Sequence, residues 1–189
     1  GGAVFVLENQ SKRSIPTWND FLGLGLNIPG LVRLSDEVLN QFPTGPNKLA
    51  EGSLFQTSGG LYVINQQQKL HFPTWSYAQE YGTNISEIQN GPENLNSTYS
   101  GNSEISVLVQ STSGEKYIVN NRTKFKLSGA ITQEWGLQNY PFQTLSNLIL
   151  ARVPYSSDFS RFFVYDNQIF YAQGGCKRHV LSYSTYQSL

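Results

Sequence analysis

The chain has 189 residues, zero formal net charge and a pI near 6.9, with only 14% of its residues charged. Broad electrostatic attraction to nucleic acid or to an anionic membrane has no basis in such a chain. A single cysteine, Cys176, excludes an intramolecular disulfide framework, and no apolar run approaches the ~20 residues that span a bilayer.

Hydrophobic residues at 39% and aromatics at 13% suffice for a packed core. Solubility then falls to Asn, Gln, Ser and Thr, a surface chemistry common in secreted and cell-surface proteins. The opening Gly1-Gly2 and the lack of methionine suggest a processed fragment.

In chain order, Phe5-Val6-Leu7-Glu8-Asn9 reads as a strand running into a turn, with β-branched and aromatic residues giving way to Asn and Gln. Lys12 follows seven positions after Phe5 and Ile15 three positions later. Pro16 then ends the second strand, because proline cannot donate to a ladder. Thr17 stands at a helix N-cap. A helix of about two turns follows, and Gly25 supplies the left-handed stop. Ser35-Asp36-Glu37-Val38-Leu39 predicts a second short helix capped by Ser35 and closed by Pro43.

The same order then recurs. Ile15-Pro16-Thr17-Trp18 is matched by Phe72-Pro73-Thr74-Trp75, 57 positions later. Tyr62, Tyr117 and Phe170 repeat the leading aromatic. Lys69, Lys124 and Lys177 repeat the lysine, and Thr74, Ser128 and Ser182 the cap. Gly82 and Gly136 repeat the stop. Each later copy gains a preceding strand, at Ser53–Gln56, Val107–Gln110 and Arg161–Val164, the last ending in the hairpin pair Asp166-Asn167. Second helices are weaker around Asn94-Leu95 and Ser146–Leu150.

Self-similarity at about 55 residues marks a repeat architecture. The expectation is one α+β repeat domain over residues 1–189, of tandem three-stranded antiparallel meanders with short helices. Its units are 1–52 (first strand missing), 53–105, 106–159 and 160–189 (second helix missing). They are stacked or closed into a pseudo-symmetric ring, and the alternative is a four-bladed propeller-like fold. Units this small bury too little alone and need a neighbour against one face.

Candidate ligand contacts recur by slot. Lys12, Lys69, Lys124 and Lys177 could line a stripe, although the balance favours stems laid across neighbouring aromatics with the ammonium in water. Trp18, Trp75 and Tyr183 share a slot (Ala130 in the third copy) and could stack on sugar rings; packing of the helix onto the sheet is the stronger expectation. Tyr99, Tyr140 and Tyr155 lie in links and are expected at the surface. His71 and His179 share an exposed strand slot and make a poor metal site. Cys176 shares its slot with Ser11, Gln68 and Thr123, so a catalytic role is disfavoured. Four Asn-x-Ser/Thr sequons are expected by chance in so Asn- and Ser-rich a chain. Phosphate-binding Gly loops, paired-carboxylate signatures and His-Glu-x-x-His patterns are absent from the sequence.

The stretch Val4–Phe21, followed by Leu34–Leu39 and Phe42-Pro43-Thr44-Gly45, resembles tandem units of secreted bacterial cell-surface and cell-wall-associated proteins, the Lys-Arg-x-Ile-Pro-x-Trp type of repeat. Such units are often appended to cell-wall hydrolases and are mostly of unassigned function. The resemblance implies an extracellular location and supplies no catalytic residues. The resulting expectation is a non-catalytic extracellular module, without cofactor or metal, that binds cell-wall or surface glycan or spaces a partner domain. The alternative is an adhesin segment that binds a surface protein through strand edges. An enzyme with a site between repeats is the least favoured.

Overall fold

Paired left-handed residues shape every hairpin that the lysine slot follows. Asn9-Gln10, Gln66-Gln67, Asn121-Arg122 and Gly174-Gly175 all have φ between 50° and 78°. Two consecutive residues of this kind make the tight turn whose twist matches two antiparallel strands. Asp166-Asn167 makes a fifth such turn, with φ of 51° and 58°.

The computed structural model describes residues 2–91 and 95–188. In chain order the elements are β1 (Phe5–Glu8), β2 (Ser11–Ser14), α1 (Trp18–Gly23), α2 (Asp36–Leu39), β3 (Leu54–Thr57), β4 (Gly60–Asn65), β5 (Gln68–Phe72), α3 (Trp75–Glu80), β6 (Gln89–Asn90), α4 (Leu95–Thr98) and β7 (Ser100–Glu104). There follow β8 (Leu108–Gln110), β9 (Lys116–Asn120), β10 (Thr123–Lys126), α5 (Gly129–Glu134), β11 (Gln143–Thr144), α6 (Asn147–Ala151), β12 (Tyr155–Asp158), β13 (Phe162–Tyr165), β14 (Gln168–Gln173), β15 (Cys176–His179) and α7 (Tyr183–Ser188). The fold is mixed α and β, mostly sheet with short helices.

The chain divides into two compact units, Gly1–Ile105 with Ser146–Arg152, and Ser106–Leu145 with Val153–Leu189. The first holds the two-stranded sheet β1-β2 and a five-stranded sheet in the order β6-β3-β4-β5-β7. Its core gathers Leu49, Phe55, Tyr62, Ile64, Leu95 and Tyr99. The second holds a five-stranded sheet in the order β11-β8-β9-β10-β12 and a three-stranded meander, β13-β14-β15.

The expectation of three-stranded antiparallel meanders is met as written only by β13-β14-β15. In the five-stranded sheets the central three strands are antiparallel, but both outer strands run parallel to their neighbours. The reason lies in the links. After the hairpin the chain crosses through a helix and returns in the direction it left, the connection a parallel pair requires. Its backbone N–H and C=O groups then find partners on the open sheet edges. The sequence hid these strands because Ser-Gly-Asn-Ser-Glu (β7) and Tyr-Ser-Ser-Asp (β12) are exposed along their whole length and carry no apolar alternation. Among the described residues none of the four sheets closes into a barrel, and sheets of two, five, five and three strands do not make the four-bladed propeller of the alternative expectation.

Helix starts follow the capping chemistry. The side chains of Thr17, Thr74 and Ser128 accept from the backbone N–H groups of Asp20, Tyr77 and Ile131, and Ser182 does the same for Thr185. Ser35 caps α2 and Ser146 caps α6. Past α1, α3 and α5, Gly25, Gly82 and Gly136 take φ of 73°, 65° and 69°, where any side chain would be strained. Of the weaker second helices, α4 and α6 are present, while Asn94 lies outside the described residues.

Candidate functional site

The capped helix start places an aromatic ring at the first helical position of α1 and again of α3. Trp18 is 55% exposed and Trp75 40%, so neither serves mainly to pack its helix on a sheet. Trp18 lays one face on the buried Phe21, ring centroids 4.7 Å apart and ring planes nearly parallel, and leaves the rest of its surface to solvent. In the third copy the slot holds Ala130. Tyr183 opens α7, but its side chain lies outside the described residues.

Three of the four slot lysines share surroundings. Lys69 lies over Tyr62 at 5.3 Å, Lys124 over Tyr117 at 5.9 Å, and Lys177 over Phe170 at 4.8 Å and Tyr165 at 4.6 Å. In each case the leading aromatic sits diagonally across the hairpin from the lysine, within cation–π range. Lys69 is buried, and burial lowers the Lys124 pKa below its ordinary value. Lys12 departs from the pattern, donating to the Leu39 carbonyl at 3.3 Å and to Asn40 Oδ1 at 3.4 Å.

The link tyrosines separate. Tyr140 and Tyr155 are exposed, and the Tyr155 hydroxyl donates to Asp158 Oδ1 at 2.8 Å. Tyr99 is not at the surface as expected. It is 7% exposed in the core cluster, and its hydroxyl accepts from the Leu49 N–H at 2.8 Å. Its ring meets Phe55 at 6.4 Å. A single residue between α4 and β7 offered no periodicity from which burial could be read, and the burial comes from the side of the sheet that Leu49 closes.

Sequence reasoning missed Asp20, which is fully buried. Its carboxylate accepts from Thr17 Oγ1 at 2.5 Å, Gln89 Nε2 at 2.8 Å, the Ala50 N–H at 3.0 Å and the Ser53 hydroxyl. A buried carboxylate is tolerable only with such donors. The signal was present: Thr17-Trp18-Asn19-Asp20 places an acidic residue three after the cap. The four donors line a polar cleft of about 390 Å³, on whose wall Glu87 and Arg152 form an ion pair. With its lone pairs engaged, Asp20 ties α1 to the 50–53 link and to β6.

No family model and no curated protein matches the chain. Among solved structures, a chain of the periplasmic assembly from the ESX-5 inner membrane complex is similar at 14% identity and a TM-score of 0.26, covering 84% of this chain and 64% of that one. A likeness so slight transfers neither fold nor function.

His71 and His179 take equivalent places, packing on Tyr62 at 5.2 Å and Phe170 at 5.0 Å. Among the described residues no three His, Cys, Asp or Glu side chains gather as a metal site needs. No helix among them is long and apolar enough to cross a membrane. Cys176 is exposed at the start of β15. A second missed feature is the aromatic group around Trp135, whose ring meets Phe159 at 5.0 Å and Phe163 at 4.9 Å while its indole N–H donates to the Ser160 carbonyl at 3.2 Å.

Proposed function

We propose that the chain is a non-catalytic module of four tandem copies that binds cell-wall or other surface glycan through aromatic faces presented at its helix starts. The repetition is supported by the left-handed turn pairs, the Thr/Ser caps and the left-handed glycines recurring in their slots. It is supported further by the identical strand order, outer-parallel and inner-antiparallel, of the two five-stranded sheets. On this reading the units are 1–52, 53–105, 106–159 and 160–189, and a cell surface is the place of action.

The observation that carries the glycan reading is the exposure of Trp18 and Trp75 at one slot. An aromatic face open to water stacks on the C–H face of a sugar ring. Weak single sites become useful when presented more than once on one chain. The test is retention on insoluble peptidoglycan and on a glycan array, comparing the wild type with Trp18→Ala, Trp75→Ala and the double variant, each checked by circular dichroism. Retention should fall in the single variants and fall further in the double. Absence of any glycan hit, or full retention by a folded double variant, refutes the reading.

A further inference from the structure

We propose that the polar cleft over Asp20 is a sugar subsite beside Trp18, which takes a pyranose ring bearing hydroxyl, amide or amine groups and rejects carboxylate- and phosphate-bearing sugars. Its ligand class rests on the glycan reading above and narrows it at one of the two tryptophans. The cleft lies wholly within the first compact unit, between the start of α1, the 50–54 link, residues 86–89 and Arg152. Trp18 stands in the chain between Thr17 and Asn19, both on the cleft wall, so its exposed indole leaves the backbone at the rim. A volume of about 390 Å³ suits a small polar ligand.

Asp20 decides what the wall offers. Its carboxylate takes the hydroxyl hydrogen of Ser53 and an amide N–H of Gln89, the latter at 2.8 Å. With those hydrogens spent inward, Ser53 Oγ and Gln89 Oε1 keep acceptor lone pairs for a ligand. Glu87 gives Oε2 to Arg152 and keeps Oε1. The next copy does not repeat this wall. Tyr77 stands there in the slot of Asp20, and the corresponding glutamine, Gln143, uses its Oε1 to accept from the Ser106 N–H at 2.9 Å.

An acceptor-rich wall selects for donors. Hydroxyl, amide and ammonium hydrogens satisfy Ser53, Gln89 and Glu87, whereas a carboxylate or phosphate brings only further acceptors. Charge acts in the same sense, since Glu51 and Glu87 on the wall and Asp20 behind it face the single guanidinium of Arg152, and like charges repel an anion. At the rim Asn19 is exposed, and its side chain makes no hydrogen bond among the described residues. Its amide is therefore available to a ring hydroxyl while the Trp18 face stacks on the ring C–H groups.

The experiment titrates the isotope-labelled full chain with glucosamine, N-acetylglucosamine and glucuronic acid, which share a ring and differ in the charge of one substituent. Chemical shifts are followed at the Gln89 and Asn19 side-chain amides, the Gly52 and Ser53 backbone amides and the Trp18 and Trp75 indoles. Glucosamine and N-acetylglucosamine should shift the cleft amides together with the Trp18 indole, and glucuronic acid should bind about tenfold more weakly or worse. Asn19→Ala should weaken N-acetylglucosamine about three- to tenfold, the worth of one neutral hydrogen bond. Gln89→Leu should weaken it further, with folding checked on the amide spectrum. Shifts confined to the two indoles overturn the cleft and leave the glycan reading standing, whereas silence at the cleft and the indoles alike overturns both. Equal binding of glucuronic acid, or an unchanged Kd in folded Asn19→Ala, also overturns the subsite.

Discussion

The hairpins β1–β2 and β4–β5 have the same turn geometry and the same lysine slot, yet they are stabilised differently. Around β4–β5 both faces are closed: Tyr62 and Ile64 are buried in the cluster with Phe55 and Tyr99, and Val63, Leu70 and Phe72 are buried on the opposite face. Around β1–β2 the strand residues are only partly covered, and polar groups do more of the holding. Glu8 meets Arg13 and Lys48, and Arg13 also donates to the Pro46 and Asn47 carbonyls at 2.8 and 3.0 Å. β4 has β3 paired along its other edge, whereas among the described residues β1 pairs with β2 alone. A hairpin is set by its turn, but whether it becomes core is set by what lies on its third side.

Six substitutions would break or sharpen this contrast. Phe55→Ala removes a fully buried ring and should cost about 3–5 kcal/mol, while Phe5→Ala on the open hairpin should cost much less. Urea denaturation of the two variants measures the gap, and equal losses would erase the distinction. Asp20→Ala should come next. Loss of the carboxylate that accepts from Thr17, Ala50, Ser53 and Gln89 costs about 1–3 kcal/mol for each buried donor left unpaired, and the same denaturation curves record it.

Smaller effects test the turns. Gln10→Gly and Gln67→Gly replace residues held at a φ of 60° and should each raise stability by about 0.5–1 kcal/mol, since glycine takes the left-handed region without strain but loses more chain entropy on folding. Matching gains would confirm that the two turns are alike despite their different surroundings.

The smallest expected effect is that of Glu8. Burial alone would raise its pKa, but hydrogen bonds and charge from Lys48 and Arg13 outweigh that and hold it below 4.5. A depressed folded-state pKa means that the stabilisation is present above the unfolded value and is lost as pH falls through the folded one. Glu8→Gln should therefore flatten the acid limb of stability below about pH 4.5, by less than about 1 kcal/mol for so solvent-accessible a pair. Thermal melts from pH 3 to 6 would show it.

Much of the local fold was legible in the residues. Asn-Gln and Gln-Gln after an apolar run marked tight turns, Thr and Ser marked caps, and Gly25, Gly82 and Gly136 marked stops, because each of these is a property of a few adjacent residues. For the same reason the strands before the hairpins, β3, β8 and β13, were readable within about two residues. Tyr99 was misjudged, and β7 and β12 were unseen. Burial of a lone tyrosine and pairing of a polar strand depend on residues dozens of positions away. Of the candidate site, the slots of Trp18 and Trp75 could be read, but their exposure could not.

By itself, then, the sequence determined where the chain turns, caps and pauses, since steric limits on φ and the hydrogen-bonding reach of short side chains act over three or four residues. Tertiary structure alone decided that the links return as parallel edge strands, that Asp20 is sealed under four donors and that Tyr99 enters the core. Those outcomes depend on which distant backbone arrives beside each group to satisfy its hydrogen bonds and exclude water, and no local pattern of residues encodes that arrival.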